Sequence, residues 1–176
     1  YWYDNTYDLY SYIQTMNSKV SGIQIFHTIG NHDHDMMSEG DFNTVTAFKS
    51  KVAPTYYSFN IGDIHYIMRD NTLFANKGGN NVQDYTEGFT DDQMKWLKGD
   101  LANVPKGTTI IFGLHIPWTN RSQANGKFTY AMPATQRTEV ESLLSDYTVH
   151  FISGHTHTNY TNIMNPKMME HNIAAV

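Results

Sequence analysis

Three short apolar runs that end at a glycine constrain the fold of this chain more than any other feature. They lie at Ile23–Ile29, Thr108–Phe112 and Thr148–Ser153, and each is rich in β-branched and aromatic residues. Runs of this length and composition predict buried strands. Segments with helical spacing lie between them, so the sequence predicts a mixed α/β domain built in layers.

Other segments complete this outline of strands and helices. A turn at Ile61-Gly62-Asp63 predicts a hairpin over Thr55–Asn71, a loop is expected at Lys77–Asn81, and further strands are expected after Asn159. Thr90 and Gln93 form a capping-box pattern ahead of one helix, and Asp41 is a candidate N-cap of another. The predicted helices are Tyr7–Val20, Asp41–Val52, Asp91–Val104 and Thr135–Asp146.

Composition narrows the class of protein. The chain has 176 residues, of which 40% are hydrophobic and 16% charged, values that favour one folded domain over a disordered chain. A net charge of −5 makes a nucleic-acid polymer an improbable partner. No apolar run reaches the roughly 18–20 residues that span a bilayer. Cysteine is absent, which excludes disulfides, thiolate ligands and a cysteine nucleophile.

A polar motif follows each of the three strand predictions. Ligands of open α/β sheets bind beyond the carboxyl ends of the strands. Glycine at each junction permits a sharp turn, and we therefore expect the three loops to meet at one edge of the sheet. The motifs are Gly30-Asn31-His32-Asp33, Gly113-Leu114-His115-Ile116-Pro117 and Gly154-His155-Thr156-His157.

These residue types suit a divalent metal. Imidazole, amide and carboxylate groups bind Zn, Mn or Fe, and a bent His155-x-His157 pair can reach two neighbouring ions. Two ions about 3.5–4 Å apart can activate water and hold a phosphoryl group. A histidine outside the ligand set, such as His32, can protonate the leaving oxygen or stabilise its charge. The adjacent Asp33 would orient that ring.

Each motif also has a plainer interpretation when it is taken alone. Asn31-His32-Asp33 is then a turn with capping side chains, and His115 a core histidine. His34 is expected in a solvated loop, and Trp118 is a candidate wall of a substrate site. A single-metal hydrolase with three protein ligands and water is a further alternative.

Taken in this order, the three motifs resemble those of the calcineurin-like metallophosphoesterase superfamily. The resemblance covers most of the chain and implies a two-sheet β-sandwich flanked by helices, with two metal ions that serve phosphoester hydrolysis. It implies that Asn31, His115 and His155 bind the second metal, and that His157 reaches the first. It also implies that His32 is catalytic, with Asp33 behind it.

The sequence departs from the family pattern in one respect. That pattern opens with Asp-x-His and Gly-Asp motifs, and neither occurs before Asn31; Gly62-Asp63 comes later, in a predicted hairpin turn, and we do not assign it as the bridging ligand. We therefore expect residues 1–176 to form a partial catalytic domain, incomplete at both ends. Such a piece is expected to bind at most one metal ion, hydrolyse phosphoesters weakly, and self-associate.

Two functions follow from these expectations. The first is a metal-dependent phosphoester hydrolase, a phosphomonoesterase or phosphodiesterase, acting on a small phosphoester with metal-activated water. The alternative is a non-catalytic metal-binding or interaction module on the same fold. The sequence does not determine the cellular compartment, although the chain is expected to be soluble. An extracytoplasmic parent protein is compatible with the N-glycosylation acceptor patterns at Asn120-Arg121-Ser122 and Asn159-Tyr160-Thr161.

Overall fold

The computed structural model describes residues 5–75 and 84–174, which form a mixed α/β fold with a central sheet flanked by helices. The helices are α1 (Asn5–Lys19), α2 (Asp41–Thr44), α3 (Thr46–Lys51), α4 (Asp91–Leu101) and α5 (Ala134–Leu143). The strands are β1 (Tyr57–Ile61), β2 (Ile64–Met68), β3 (Thr72–Phe74), β4 (Tyr85–Glu87), β5 (Thr109–Gly113), β6 (Arg121–Ser122), β7 (Thr129–Tyr130), β8 (Thr148–Ser153), β9 (Tyr160–Asn165) and β10 (Met168–Asn172).

A six-stranded sheet with the order β1-β2-β5-β8-β10-β9 organises this part of the chain. The four inner strands run parallel, and each edge strand pairs antiparallel with its neighbour. The carboxyl ends of β2, β5, β8 and β10 therefore lie at the same edge of the sheet. Strands β3 and β4 form a separate ribbon, as do β6 and β7.

Helices α4 and α5 cover one face of this sheet. Leu97 of α4 and Val140 of α5 share a buried cluster with sheet residues such as Phe112 and Phe151. Burying a side chain of this size contributes about 1.5–3 kcal/mol. The packing fixes the strands, and with them the loops at their carboxyl ends.

Most of the predicted elements are present. The hairpin forms as expected, with Gly62 and Asp63 between β1 and β2. Thr90 caps α4 by accepting a hydrogen bond from the Gln93 amide at 3.2 Å. The Gln93 side chain, which would bond back to the Thr90 amide in a full capping box, instead accepts a hydrogen bond from Arg69 Nε. The predicted loop at Lys77–Asn81 lies outside the described residues.

The strand predicted at Ile23–Ile29 is wrong. Residues 24–30 have no regular secondary structure, and no described strand pairs with them. The backbone of His27 instead bonds to the Tyr57 hydroxyl, which accepts from its N–H and donates to its C=O, both at 2.8 Å. The Tyr57 side chain thus makes the backbone hydrogen bonds that a neighbouring strand would otherwise make.

The single helix predicted at Asp41–Val52 is interrupted. Val45 separates α2 from α3, with φ −95° and ψ 2°, and Gly40 rather than Asp41 occupies the N-cap position of α2. The Asp41 carboxylate accepts a hydrogen bond from the Phe74 amide at 2.8 Å. This contact joins α2 to β3, which explains why Asp41 is not used as a cap.

Candidate metal centre

The three motif loops converge at one edge of the sheet, as expected from their positions after strands. His115 Nε2 lies 2.7 Å from Asn31 Oδ1 and 3.0 Å from His155 Nδ1. These side chains come from positions separated by 84 and 40 residues along the chain. The fold therefore brings one amide oxygen and two imidazole nitrogens to a common point.

A tight turn presents Asn31. Residues Asn31–Asp33 form one turn of 3-10 helix, in which the Asp33 amide donates to the Gly30 carbonyl at 2.9 Å. The Asp33 carboxylate in return accepts from the Gly30 amide at 2.9 Å. Glycine is required here by a close approach, because a Cβ at this position would lie 2.7 Å from His115 Nδ1. The first motif is thus built to pack against the second.

Strained backbone presents the two histidines of the third motif. His155 has φ 64° and His157 has φ 57°, in the left-handed region that side chains other than glycine rarely adopt. The intervening Thr156 is fully buried, and its hydroxyl accepts from Asn172 Nδ2 at 3.0 Å. Asn172 also donates to the Thr158 carbonyl. This anchor holds the backbone of the loop that carries both histidines.

Asn71 positions the second motif, and sequence analysis missed it. It is fully buried three residues after β2. Its Oδ1 accepts from the amides of His115 and Ile116, both at 3.0 Å, and its Nδ2 donates to the Ile116 carbonyl at 2.8 Å. The one available signal was its place just after a strand that ends at the same sheet edge as the motifs.

Two tyrosines that sequence analysis also missed surround His155. Tyr85 of β4 places its hydroxyl 3.3 Å from His155 Nε2. The Tyr130 ring of β7 meets the His155 ring edge-on, with 4.2 Å between centroids. Both ribbons therefore contribute to the centre, although neither belongs to the main sheet.

Burial and the neighbouring histidines keep the imidazoles of the centre neutral. Burial, reinforced by the neighbouring imidazoles, lowers the pKa of His115 well below its ordinary value. Burial and the charges of His32 and His157 lower the pKa of His155 to about 4. Burial and His157 likewise lower the pKa of His32 to about 4. Neutral imidazoles are the form that binds metal ions.

The donor set fits one divalent ion. Two ligands about 2.0–2.2 Å from an ion are separated by about 2.8–3.1 Å in octahedral geometry and by about 3.3–3.6 Å in tetrahedral geometry. The separations of 2.7 and 3.0 Å are close to the octahedral range. Within residues 5–75 and 84–174, however, no group of three or more His, Asp or Glu side chains is arranged to hold a metal. The convergent set is one amide and two imidazoles, without a carboxylate.

The remaining predicted site residues are His32, Asp33 and His157. His32 is half-buried, and the charge of His157 contributes to the lowering of its pKa. His157 itself is exposed. Asp33 is held by the Gly30 amide. The roles of His32, Asp33 and His157 stay predictions.

Two expectations about nearby residues are wrong. His34 is not solvated: it is fully buried, bonded to the hydroxyls of Thr44 and Thr72 at 2.9 Å and stacked on Phe74. Trp118 is fully buried too, and its ring stacks on the core residue Phe151. It is therefore part of the core and not a wall of a substrate site.

Comparison with known proteins gives consistent results. The model of the calcineurin-like phosphoesterase family matches residues 2–159. Purple acid phosphatase 15 of Arabidopsis thaliana is 27% identical over 155 residues, covering 81% of this chain and 26% of that protein. Purple acid phosphatase 23 of the same plant is 28% identical over 157 residues, covering 83% and 30%. The chain thus spans less than a third of the length of these relatives.

A solved structure is similar as well. The crystal structure of a dimetal phosphatase from Danio rerio matches with a TM-score of 0.57 and 14% identity. The match covers 96% of this chain and 67% of that one. At this level of identity the likeness shows that the fold is shared. In the part of the chain that the structure describes, no helix has the length and apolar character needed to cross a membrane.

Proposed function

The chain belongs to the calcineurin-like phosphoesterase family, and from that membership we propose that it provides part of the centre of a metal-dependent phosphoester hydrolase. The observation that carries the proposal is the convergence of three side chains: His115 Nε2 lies 2.7 Å from Asn31 Oδ1 and 3.0 Å from His155 Nδ1. The relatives named phosphatases support the reaction class. The substrate in this proposal is a small phosphoester.

Asn31, His115 and His155 would hold one divalent ion, and His157 would reach a second. An ion bound there supplies Lewis-acid polarisation of a phosphoryl oxygen and activates water. The chain's own contribution is orientation: Asn71 holds the backbone of His115, and the Gly30 turn sets Asn31 against it. Because all three ligands are neutral, the site keeps the positive charge that attracts an anionic phosphoester.

His32 is the proposed catalytic residue at the leaving group. It directly follows the proposed ligand Asn31 in the sequence, and we assign it either donation of a proton to the departing oxygen or stabilisation of the charge there. The proposed part of Asp33 is to keep the turn that carries His32 in place through the Gly30 amide. In a longer protein that completes the two-ion centre, substituting His32 with alanine should reduce turnover by about 10²–10⁴-fold while metal content is kept.

The described residues are unequally distributed between the two ions. Three of the proposed ligands serve one ion and His157 alone serves the other, with no carboxylate to bridge them. We therefore propose that residues 1–176 by themselves form a partial catalytic domain, bind at most one ion, and hydrolyse phosphoesters poorly. Self-association of this piece stays a prediction, to be measured by light scattering.

Titration of the purified chain with Mn²⁺ or Zn²⁺ tests the proposal, with metal stoichiometry and cleavage of a chromogenic phosphodiester followed together. His155→Ala should lose metal, whereas His171→Ala, a matched histidine on β10 outside the centre, should retain it. Unchanged stoichiometry in His155→Ala would show that the ligand assignment is wrong. Two tightly bound ions with fast turnover would refute the partial-centre proposal.

One observation favours a second candidate, a non-catalytic metal-binding module. It is the lack of any carboxylate in the convergent set of the described residues. In that case the chain binds an ion stoichiometrically, and a longer protein that contains it shows no hydrolysis. Measurable turnover, abolished by His32→Ala, would exclude this candidate.

A further inference from the structure

We infer that Tyr85 is a positioning residue of the centre: it fixes the proton of His155 on Nε2 and so leaves Nδ1 bare toward the metal. The inference deepens the proposed function and rests on it. It concerns a residue outside the three motifs, on a ribbon separate from the main sheet. Tyr85 in this role touches neither substrate nor metal and acts through His155.

The two ring nitrogens of His155 have different surroundings. Nδ1 faces His115 Nε2 at 3.0 Å, inside the convergent set, whereas Nε2 faces the Tyr85 hydroxyl at 3.3 Å on the opposite side of the ring. A neutral imidazole carries one proton, on one nitrogen or the other. Only the bare nitrogen can bind a metal, so the occupant of the far side decides whether His155 is a competent ligand.

Counting protons assigns the hydrogen bond between Tyr85 and His155. The Asn31 side-chain oxygen can only accept, so its contact at 2.7 Å places a proton on His115 Nε2. The same nitrogen faces His155 Nδ1 at 3.0 Å, so Nδ1 must be the bare, accepting nitrogen. A neutral His155 therefore carries its proton on Nε2 and donates it to the Tyr85 hydroxyl.

The fold holds Tyr85 firmly enough for this role. Its strand β4 pairs with β3, with Tyr85 opposite Phe74. Phe74 stacks on the buried His34, and Thr72 at the start of β3 bonds to the same ring at 2.9 Å. The ribbon begins directly after Asn71, the residue that holds the backbone of His115. One short element thus connects the supports of two proposed ligands.

A hydrogen-bond partner of a metal-binding histidine is worth about 10–100-fold in metal affinity. Tyr85→Phe keeps the ring and removes only the hydroxyl, so we expect Zn²⁺ or Mn²⁺ affinity to fall by about that factor. Tyr10→Phe is the matched control, because Tyr10 is exposed on α1. It should bind the metal like the unmodified protein.

The experiment that separates positioning from mere packing is the proton position on His155. Long-range ¹H–¹⁵N correlation spectra of the metal-free, histidine-labelled chain give it directly, with the signal assigned by its absence in His155→Ala. The unmodified protein should show the proton on Nε2, and Tyr85→Phe a shift of population toward Nδ1. Thermal unfolding checks that Tyr85→Phe is folded.

The outcomes are distinct. A proton on Nδ1 in the unmodified protein overturns the inference whatever the variant does. Unchanged metal affinity and proton position in Tyr85→Phe overturn it as well, and leave the proposed function standing if His155→Ala loses metal. If His155→Ala binds metal normally, the metal centre itself is misassigned, and the proposed function fails with it.

Discussion

Replacing Gly30 with alanine tests how closely the first two motifs must fit. The backbone at Gly30 has φ −126° and ψ 174°, a conformation that alanine adopts without strain. The effect must therefore come from the added methyl group, which would lie 2.7, 2.9 and 2.9 Å from three atoms of the His115 ring. Ordinary carbon contacts are about 3.5–4.0 Å, so the ring has to move by about 1 Å.

His115 has little freedom to make that movement. Asn71 holds its backbone, and its Nε2 is placed between Asn31 Oδ1 and His155 Nδ1. We expect overpacking to lower the free energy of unfolding by about 1–3 kcal/mol. Displacement of the ring should also weaken metal binding, by a factor of about 10–100.

Urea unfolding of the metal-free chain and calorimetric titration with Zn²⁺ measure the two effects of Gly30→Ala. Gly99→Ala provides the control, because Gly99 is exposed in α4 with no atom within 4 Å of an added Cβ. That substitution should raise stability by about 0.5–1 kcal/mol and leave metal affinity unchanged. If Gly30→Ala has the stability and affinity of the original chain, the close fit of the motifs is not needed.

Three further predictions concern the supports of the fold and the centre. Asn172→Ala removes the donor to Thr156 and should cost about 1–3 kcal/mol in urea unfolding, together with a loss of metal affinity; a loss of stability alone would mean that the loop is held without it. Burial raises the pKa of Asp100, but hydrogen bonds from His65 and Ser58 outweigh burial and lower this pKa from its ordinary value of 3.8. The stabilisation that the ionised Asp100 gives the fold is therefore complete above its unfolded-state pKa, and it is lost as the pH falls through the folded-state pKa. Asp100→Asn should be less stable at pH 7 and show a flatter decline in urea midpoint below pH 4; parallel curves would contradict this. Thr90→Ala should lower the free energy of unfolding by about 1 kcal/mol through loss of the α4 cap, and an unchanged urea midpoint would show the cap to be dispensable.

The sequence was informative wherever the structural cause is local. Asn31, His115 and His155 could be placed together because each follows an apolar run that ends at a glycine, and parallel strands share a carboxyl edge. The cap at Thr90 is also local, since it depends on a hydroxyl and an amide three residues apart.

What the sequence could not show depends on contacts between distant segments. The run at Ile23–Ile29 has the composition of a strand, but pairing requires a neighbour, and Tyr57 bonds to it instead. Tyr85 approaches His155 across 70 residues, and no spacing rule connects them. His34 is buried because Thr44 and Thr72 satisfy both of its ring nitrogens, a condition invisible in its own neighbourhood.

The parallel arrangement of β2, β5, β8 and β10 has a consequence for folding. Parallel neighbours are joined by long crossovers, and the centre unites positions 84 and 40 residues apart, so contact order is high and folding is expected to be slow. A centre assembled from such distant segments exists only in the native state. A bound ion therefore acts as a ligand of the folded chain alone, adding about 2.7 kcal/mol when its free concentration is 100 times the Kd. Thermal unfolding with and without Zn²⁺ then reports the integrity of the centre independently of any hydrolysis.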